Sequence, residues 1–227
     1  MDGTLLTALA LIPALVIAIV FHEVAHGWTA LALGDPTAKE RKRLSLNPIR
    51  HVDPIGTLIL PGALYLSGLP AFGWAKPVPV NKRRLNNPRF GMMAVAAAGP
   101  TTNLVLATLG AVALGFLARG GAAPEGLAGF AIASLYAFIA VNIFLALFNL
   151  LPIPPFDGSH VVEGLLPPRA ARAYDKLRPF GFGLLFLLLL VIPYFFPELG
   201  IVEKVVLPPV LWAEEKFMAL ATWVARL

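Results

Sequence analysis

The sequence predicts an all-α polytopic membrane protein with about four spanning helices, and three observations carry that prediction. Of its 227 residues, 58% are hydrophobic and 14% charged, with a mean hydropathy of +0.76, more apolar than a soluble core requires. Four apolar runs are long enough for a helix to cross the ~30 Å hydrocarbon core of a bilayer. The charges that remain are sorted. Lys39, Arg41, Lys42, Arg43 and Arg50 share one connection, Lys76, Lys82, Arg83, Arg84 and Arg89 another, and Arg169, Arg172, Lys176 and Arg178 a third. By the positive-inside rule these segments, 34–53, 76–89 and 152–178, belong on the cytoplasmic side, with a cell (plasma) membrane as the natural host.

That sorting also disposes of nucleic acid as a partner, because membrane topology already accounts for the net charge of +5. With no cysteine in the chain, disulfides and thiolate metal sites are excluded, and any metal must be held by His, Asp or Glu. No polar stretch of domain length interrupts the hydrophobic runs. Residues 1–200 are therefore expected to form one membrane-embedded domain.

Taken in chain order, the first run extends from Leu5 to Leu33. It lacks a basic leader and is too long for a signal-peptide core, so it is expected to be a retained helix. The next spans are expected at Phe90 to Leu117, Leu127 to Leu151 and Phe180 to Phe196. Ile55 to Ala75 is apolar enough to cross but is broken by Gly56, Pro61, Gly62, Gly68, Pro70 and Gly73. A re-entrant loop keeps the basic segments on its two sides in one compartment, whereas a crossing would separate them, and irregular backbone at that depth must pack against the helices. Gly73 to Val80 then alternates as an edge strand would, with prolines limiting it to pairing on one side. The loop and edge together occupy 55–80. Charged and apolar residues mix after Pro197, so 201–227 is expected to be an amphipathic helix on the membrane surface.

The chemistry is concentrated in the first helix. His22 and His26 are four residues apart and share a helical face, so both can grip one Zn²⁺, with Glu23 beside them as a general base for water. From Leu33, His26 and His22 lie roughly 10 and 16 Å into the run, near membrane depth. An ionisable residue there costs on the order of 2.5–3.5 kcal/mol on insertion scales, which argues for use of Glu23 rather than accident. A histidine pair can instead hydrogen-bond neighbouring helices, but that alternative leaves Glu23 without a purpose.

A hydrolytic zinc site usually takes three protein ligands and keeps one position open. Asp157 is the leading candidate for the third: it follows a hydrophobic helix ended by Pro152, Pro154 and Pro155, and a broken helix beside an acid is the pattern of a membrane-embedded site. His51, Asp53 and His160 are rivals, the first two in or beside a basic connection and His160 more suited to a supporting position.

These residues carry a resemblance. Phe21-His22-Glu23-Val24-Ala25-His26-Gly27, Gly73 to Val80, Gly99-Pro100-Thr101-Thr102-Asn103 and Asn149 to Gly158 resemble the motifs of the site-2 proteases, intramembrane zinc metalloproteases, over residues 20 to 165. The likeness implies one Zn²⁺ per chain on His22, His26 and Asp157, Glu23 as catalytic base, and Asn149 in the cleft against the substrate backbone. It also implies that the glycine-rich dip and its strand receive an unwound substrate helix. The chain resembles a compact form without PDZ or CBS domains, which leaves control to membrane loops, an accessory regulator or prior trimming of the substrate. Asn149 and Asn103 are thus candidates for substrate binding or oxyanion support, with helix capping and close helix packing as their respective alternatives.

The function expected is hydrolysis of peptide bonds in or near transmembrane segments of membrane proteins in the bilayer. Three other readings use the same residues: a membrane zinc transporter or sensor, a catalytically silent relative that binds helices, and a hydrolase whose substrate comes from solution.

Overall fold

The computed structural model describes residues 3–67, 73–119, 126–200 and 202–227. Its first helix, α1 (Gly3–Ala32), is followed by a short turn of helix, α2 (Thr37–Glu40), and by α3 (Leu60–Leu66). Then come α4 (Pro88–Ala118), α5 (Gly126–Asn149), α6 (Asp157–Leu165), α7 (Pro168–Asp175), α8 (Gly181–Phe186), α9 (Ile192–Phe195) and α10 (Leu207–Arg226). Four stretches are long and apolar enough to cross a membrane: Leu5–Ala32, Pro88–Ala118, Gly126–Asn149 and Pro168–Phe195. This is an integral membrane protein. Large apolar side chains line its outside, Ile12 and Leu109 each being 60% exposed, which suits a surface solvated by lipid rather than water.

The helices α1, α4 and α5 pack on one another because α4 presents small residues to its neighbours. Ala107 and Ala111 are fully buried. A Cβ at Gly110 would meet Ile139 Cγ1 at 3.0 Å. With no hydrophobic effect available between helices in lipid, such close backbone approach is what lets dispersion hold them together. The start of α4 is set by Asn87, whose side chain accepts the Phe90 N–H at 3.2 Å, and by Pro88 at the first helical position, where a missing N–H costs nothing.

At the end of α1 the chain turns on Gly34, at φ +101°, where a Cβ would also sit 2.5 Å from Asn86 Oδ1. Beyond it, fully buried Asp35 accepts the Thr37 N–H at 3.0 Å, the Thr37 hydroxyl and the Asn81 N–H at 2.5 Å. Burial alone would raise the pKa of this carboxyl, but those donors and the Arg84 cation hold it below the ordinary carboxylate range. Asp35 thereby ties the exit of α1 to the chain that precedes α4.

In the segment 55–80, the two described arms lie side by side. The first arm is helical, a wide turn at Pro54–Ile59 running into α3, with Asp53 capping the start by accepting the Ile55 and Gly56 N–H groups. Residues 68–72, including Gly68 and Pro70, lie outside the described residues. The second arm, 73–81, is extended and lies beside the first: Trp74 N–H donates to Gly56 O at 3.1 Å and Lys76 N–H to His51 O at 2.8 Å. The edge strand expected over Gly73 to Val80 does not form, and no strand occurs among the described residues. Pro77 and Pro79 have no N–H to give, and the N–H of Val78 goes to a side chain instead of a ladder.

The fourth span differs from the single helix expected at Phe180 to Phe196. After α7 and a tight turn at Arg178–Phe180, it runs as α8, a widened turn at Leu187–Val191, and α9. Pro193 explains the widening, since it cannot donate to the carbonyl one turn back and its ring crowds that carbonyl. The helix expected after residue 200 is α10, and one face of it packs on protein while Leu211, Trp212 and Trp223 stay exposed on it. Val210, Ala213 and Ala221 join Ala107, Ala111, Leu114, Ile139 and Ile143 in one core, and the Arg119 guanidinium donates to Val224 O at 3.3 Å. A Cβ at Gly115 would lie 2.5 Å from Ala221 O, so a glycine there is what lets α10 seat.

Candidate metal centre

Two imidazoles and a carboxylate converge where α1, α4 and α6 meet. His22 and His26 are 6% and 8% exposed, and their rings meet edge to face with centroids 4.6 Å apart. His22 Nε2 lies 3.1 Å and His26 Nε2 3.2 Å from the same Asp157 oxygen, Oδ2. Among the described residues, these three are the group whose ligand atoms, all within 4.8 Å of one another, could hold a metal ion.

The opposite edges of both rings decide which nitrogen faces the centre. His22 Nδ1 is 2.6 Å from Asn103 Oδ1, and His26 Nδ1 is 2.7 Å from Val95 O. Both oxygens only accept, so each Nδ1 donates, and each Nε2 is the ring nitrogen turned toward Asp157. Orienting the far ring nitrogen in this way is how proteins present histidine to zinc. Two nitrogens and one carboxylate oxygen, with no thiolate, also make the donor set of a hydrolytic zinc site rather than a closed structural one.

Asn103 is completely buried, as is Asn142, and its amide is fully committed. It accepts from His22 and donates Nδ2–H to Ala18 O at 3.1 Å and to Asn142 Oδ1 at 2.9 Å. Asn142 donates in turn to Phe138 O at 2.8 Å. Substrate binding by Asn103, raised by the sequence, does not fit this geometry, because no donor remains to offer. Its side chain holds His22, and Asn142, missed in the sequence, holds Asn103. A lone amide in the Val141-Asn142-Ile143 run was the available signal. Replacing Asn103 with leucine is expected to weaken zinc binding by about 10- to 100-fold, as loss of such a supporting partner typically does, measured by competition with a chelator.

Gly99 explains how α4 reaches the two histidines: a Cβ there would lie 2.6 Å from His22 Nε2 and 2.6 Å from His26 Cε1. Asp157 is presented as the first residue of α6, after the proline-rich turn at 150–156. Gly158 next to it faces the Leu150 carbonyl, which a Cβ would approach to 2.2 Å. Farther along α6, Glu163 takes Lys82 Nζ at 2.5 Å and Arg178 Nη2 at 2.7 Å, while Arg89 donates to Gly164 O at 3.1 Å and to Leu166 O. The helix that carries Asp157 is thus tied to the chain before α4, to α4 itself and to the start of the fourth span.

The rival ligands are placed elsewhere. His51 Nε2 lies 2.7 Å from Ser45 O, and Asp53 is the helix cap already described. His160 Nε2 is 2.8 Å from Arg178 Nη1, and since guanidinium only donates, that nitrogen must be the acceptor. Burial, then the Arg178 and Lys82 cations, hold the His160 pKa below its ordinary value against the opposing pull of Glu163 and Asp157. Glu23 Oε2 accepts the Val78 N–H at 2.7 Å. Asn149, the last residue of α5, donates to Leu145 O at 2.9 Å within its own helix.

Sequence comparison places this geometry among known proteins. The profile of Peptidase family M50 matches residues 122–191. The chain is 41% identical over 200 residues to the candidate zinc metalloprotease YwhC of Bacillus subtilis, covering 85% of this chain and 87% of that protein. It is also similar to the candidate zinc metalloproteases Rip2 of Mycolicibacterium smegmatis, 32% identical over 173 residues, and of Mycobacterium tuberculosis, 31% identical over 180 residues. These alignments cover 76% and 77% of this chain but only 62% and 63% of the two Rip2 proteins. No solved structure matches significantly.

Proposed function

The chain belongs to peptidase family M50, the site-2 protease family of zinc metalloproteases, and from that premise we propose that it cuts other membrane proteins in or next to their transmembrane segments. The observation that carries the reading is the position of the centre: His22, Glu23 and His26 lie inside a crossing helix, with Asp157 folded back onto them. A substrate reaching them from the bilayer is itself a transmembrane segment.

His22, His26 and Asp157 would hold Zn²⁺, which when bound would supply Lewis acidity for hydrolysis of a peptide bond. Glu23 takes the proton from the attacking water and passes it to the departing amine nitrogen. Asn103 and the Val95 carbonyl keep both imidazoles aimed throughout. Asn149 spends one amide hydrogen on its own helix, and the second is free for the substrate backbone or the developing oxyanion. The same reading places the basic connections on the cytoplasmic side of a cell membrane, where a regulator could reach the site.

Because an α-helix spends its carbonyls on internal hydrogen bonds, the substrate must unwind locally before attack. A single-span probe with a Gly-Pro pair in its cytoplasmic half should therefore be cut at least about tenfold faster than the same span filled with alanine, an effect worth ~1.4 kcal/mol. Cleavage of tagged probes reconstituted with the purified protein measures it. Equal rates would refute unwinding as a requirement, and metal flux in sealed vesicles without cleavage would favour the transporter reading.

A further inference from the structure

Resting on the peptidase reading, we propose that the backbone N–H of Val78 is a positioning group for the catalytic base: it fixes Glu23 by one carboxylate oxygen and leaves the other to exchange the proton. The extended segment after the re-entrant helix then serves the chemistry itself as well as reception of the substrate.

The contact is short, Val78 N–H to Glu23 Oε2 at 2.7 Å, and it joins groups 55 residues apart. Pro77 and Pro79 flank Val78, so it is the one N–H donor in that triplet, and neither neighbour can compete for the carboxylate. Val78 is also held by its side chain, which is 7% exposed. Gly27 lies one helical turn beyond Glu23 on the same face, and a Cβ there would come within 2.9 Å of Val78 Cγ1. The backbone of Val78 thus meets Glu23 while its isopropyl group sits in the notch at Gly27.

The segment is pinned on both sides of this point. Lys76 N–H donates to His51 O at 2.8 Å, Arg43 Nη2 donates to Lys76 O at 2.8 Å, and Asn81 N–H donates to Asp35 Oδ2 at 2.5 Å. A donor held this firmly selects one orientation of a carboxylate whose three side-chain torsions would otherwise be free. Bonding through Oε2 directs Oε1 to the other side, where it can take a proton without first giving up a partner.

The test uses the full chain, zinc-loaded, in detergent. Hydrogen–deuterium exchange is followed over residues 73–81 in the wild type and Glu23→Ala, and kcat and KM are measured on the Gly-Pro probe for the wild type and Val78→Pro. One amide in the segment is expected to exchange faster in Glu23→Ala. Val78→Pro is expected to keep its zinc and its KM within about twofold while kcat falls about 10- to 100-fold, the scale of a small misplacement of a reacting group. Should Val78→Pro fail to fold, Gly27→Ala combined with Leu44→Ala replaces it: with Leu44 Cδ2, which a Cβ at Gly27 would meet at 2.4 Å, trimmed away, the methyl is driven into Val78 and is expected to lower kcat relative to Leu44→Ala alone, and adding Val78→Ala should restore part of the loss. Equal exchange in the two proteins, an unchanged or higher kcat in Val78→Pro, or no recovery on adding Val78→Ala to the Gly27→Ala, Leu44→Ala protein overturns the proposal. A wild type that cuts no probe refutes the peptidase reading instead, and the exchange measurement still decides the contact.

Discussion

Glu23→Gln is expected to keep the wild-type zinc content and lose about 100- to 10,000-fold in kcat, the usual contribution of a positioned general base. Glutamine matches glutamate in shape, and its carbonyl oxygen can still accept the Val78 N–H that now meets Oε2. The group that could hold the metal, His22, His26 and Asp157, is untouched by the change. What disappears is basicity, so the proton of the attacking water has nowhere to go. Zinc analysis of the purified proteins beside single-turnover cleavage of the Gly-Pro probe measures both quantities. If zinc vanished together with activity, Glu23 would have a structural task. If most of the activity survived, another group would be the base.

Gly158→Ala should be nearly as damaging by a different route. The added Cβ would lie 2.2 Å from Leu150 O and 2.6 Å from Leu151 O, and a backbone carbonyl cannot swing aside as a side-chain end can. Either the 150–151 turn or the start of α6 must move by roughly 1 Å, and Asp157 moves with it, a displacement large enough to cost on the order of 100-fold in rate. Zinc occupancy is expected to fall along with cleavage, which separates this variant from Glu23→Gln. Gly183→Ala is the control, since a Cβ there meets nothing within 4 Å. Equal zinc content in the two alanine variants would mean that the turn can adjust and that the close approach at Gly158 has no bearing on the metal.

Much of the centre was legible because its signals are local. Two histidines on one helical face require only the 3.6-residue period, and the apolar run around them requires only a count of residues against bilayer thickness. Asp157 stood out because three prolines beside an acid end a hydrophobic helix in a place where freed backbone groups need a purpose. The sequence left His51, Asp53 and His160 in competition with it. Folding separated them: His51 was given to a carbonyl, Asp53 to a helix cap and His160 to Arg178.

Two elements needed the fold to be read fully. Gly73 to Val80 alternates like a strand, yet its N–H groups are taken one at a time by Gly56, His51 and Glu23, and alternation alone cannot tell a ladder from a series of separate partners. The amphipathic pattern of α10 does not say which of its residues meet protein, and small residues on α4, Gly115 above all, made room for one face of it.

The sequence by itself determined the four apolar stretches and the histidine pair of a zinc metalloprotease, since each depends on side chains close together in the chain. Only the tertiary structure decided that Asn103, 81 residues from His22, is bonded to that ring, and that Asp157, 135 residues away, meets both histidines. Those pairings depend on how closely α1, α4 and α6 can approach. That distance is set by Gly99 of α4 against α1 and by Gly164 of α6 against Met93 of α4, where a single methyl group would not fit.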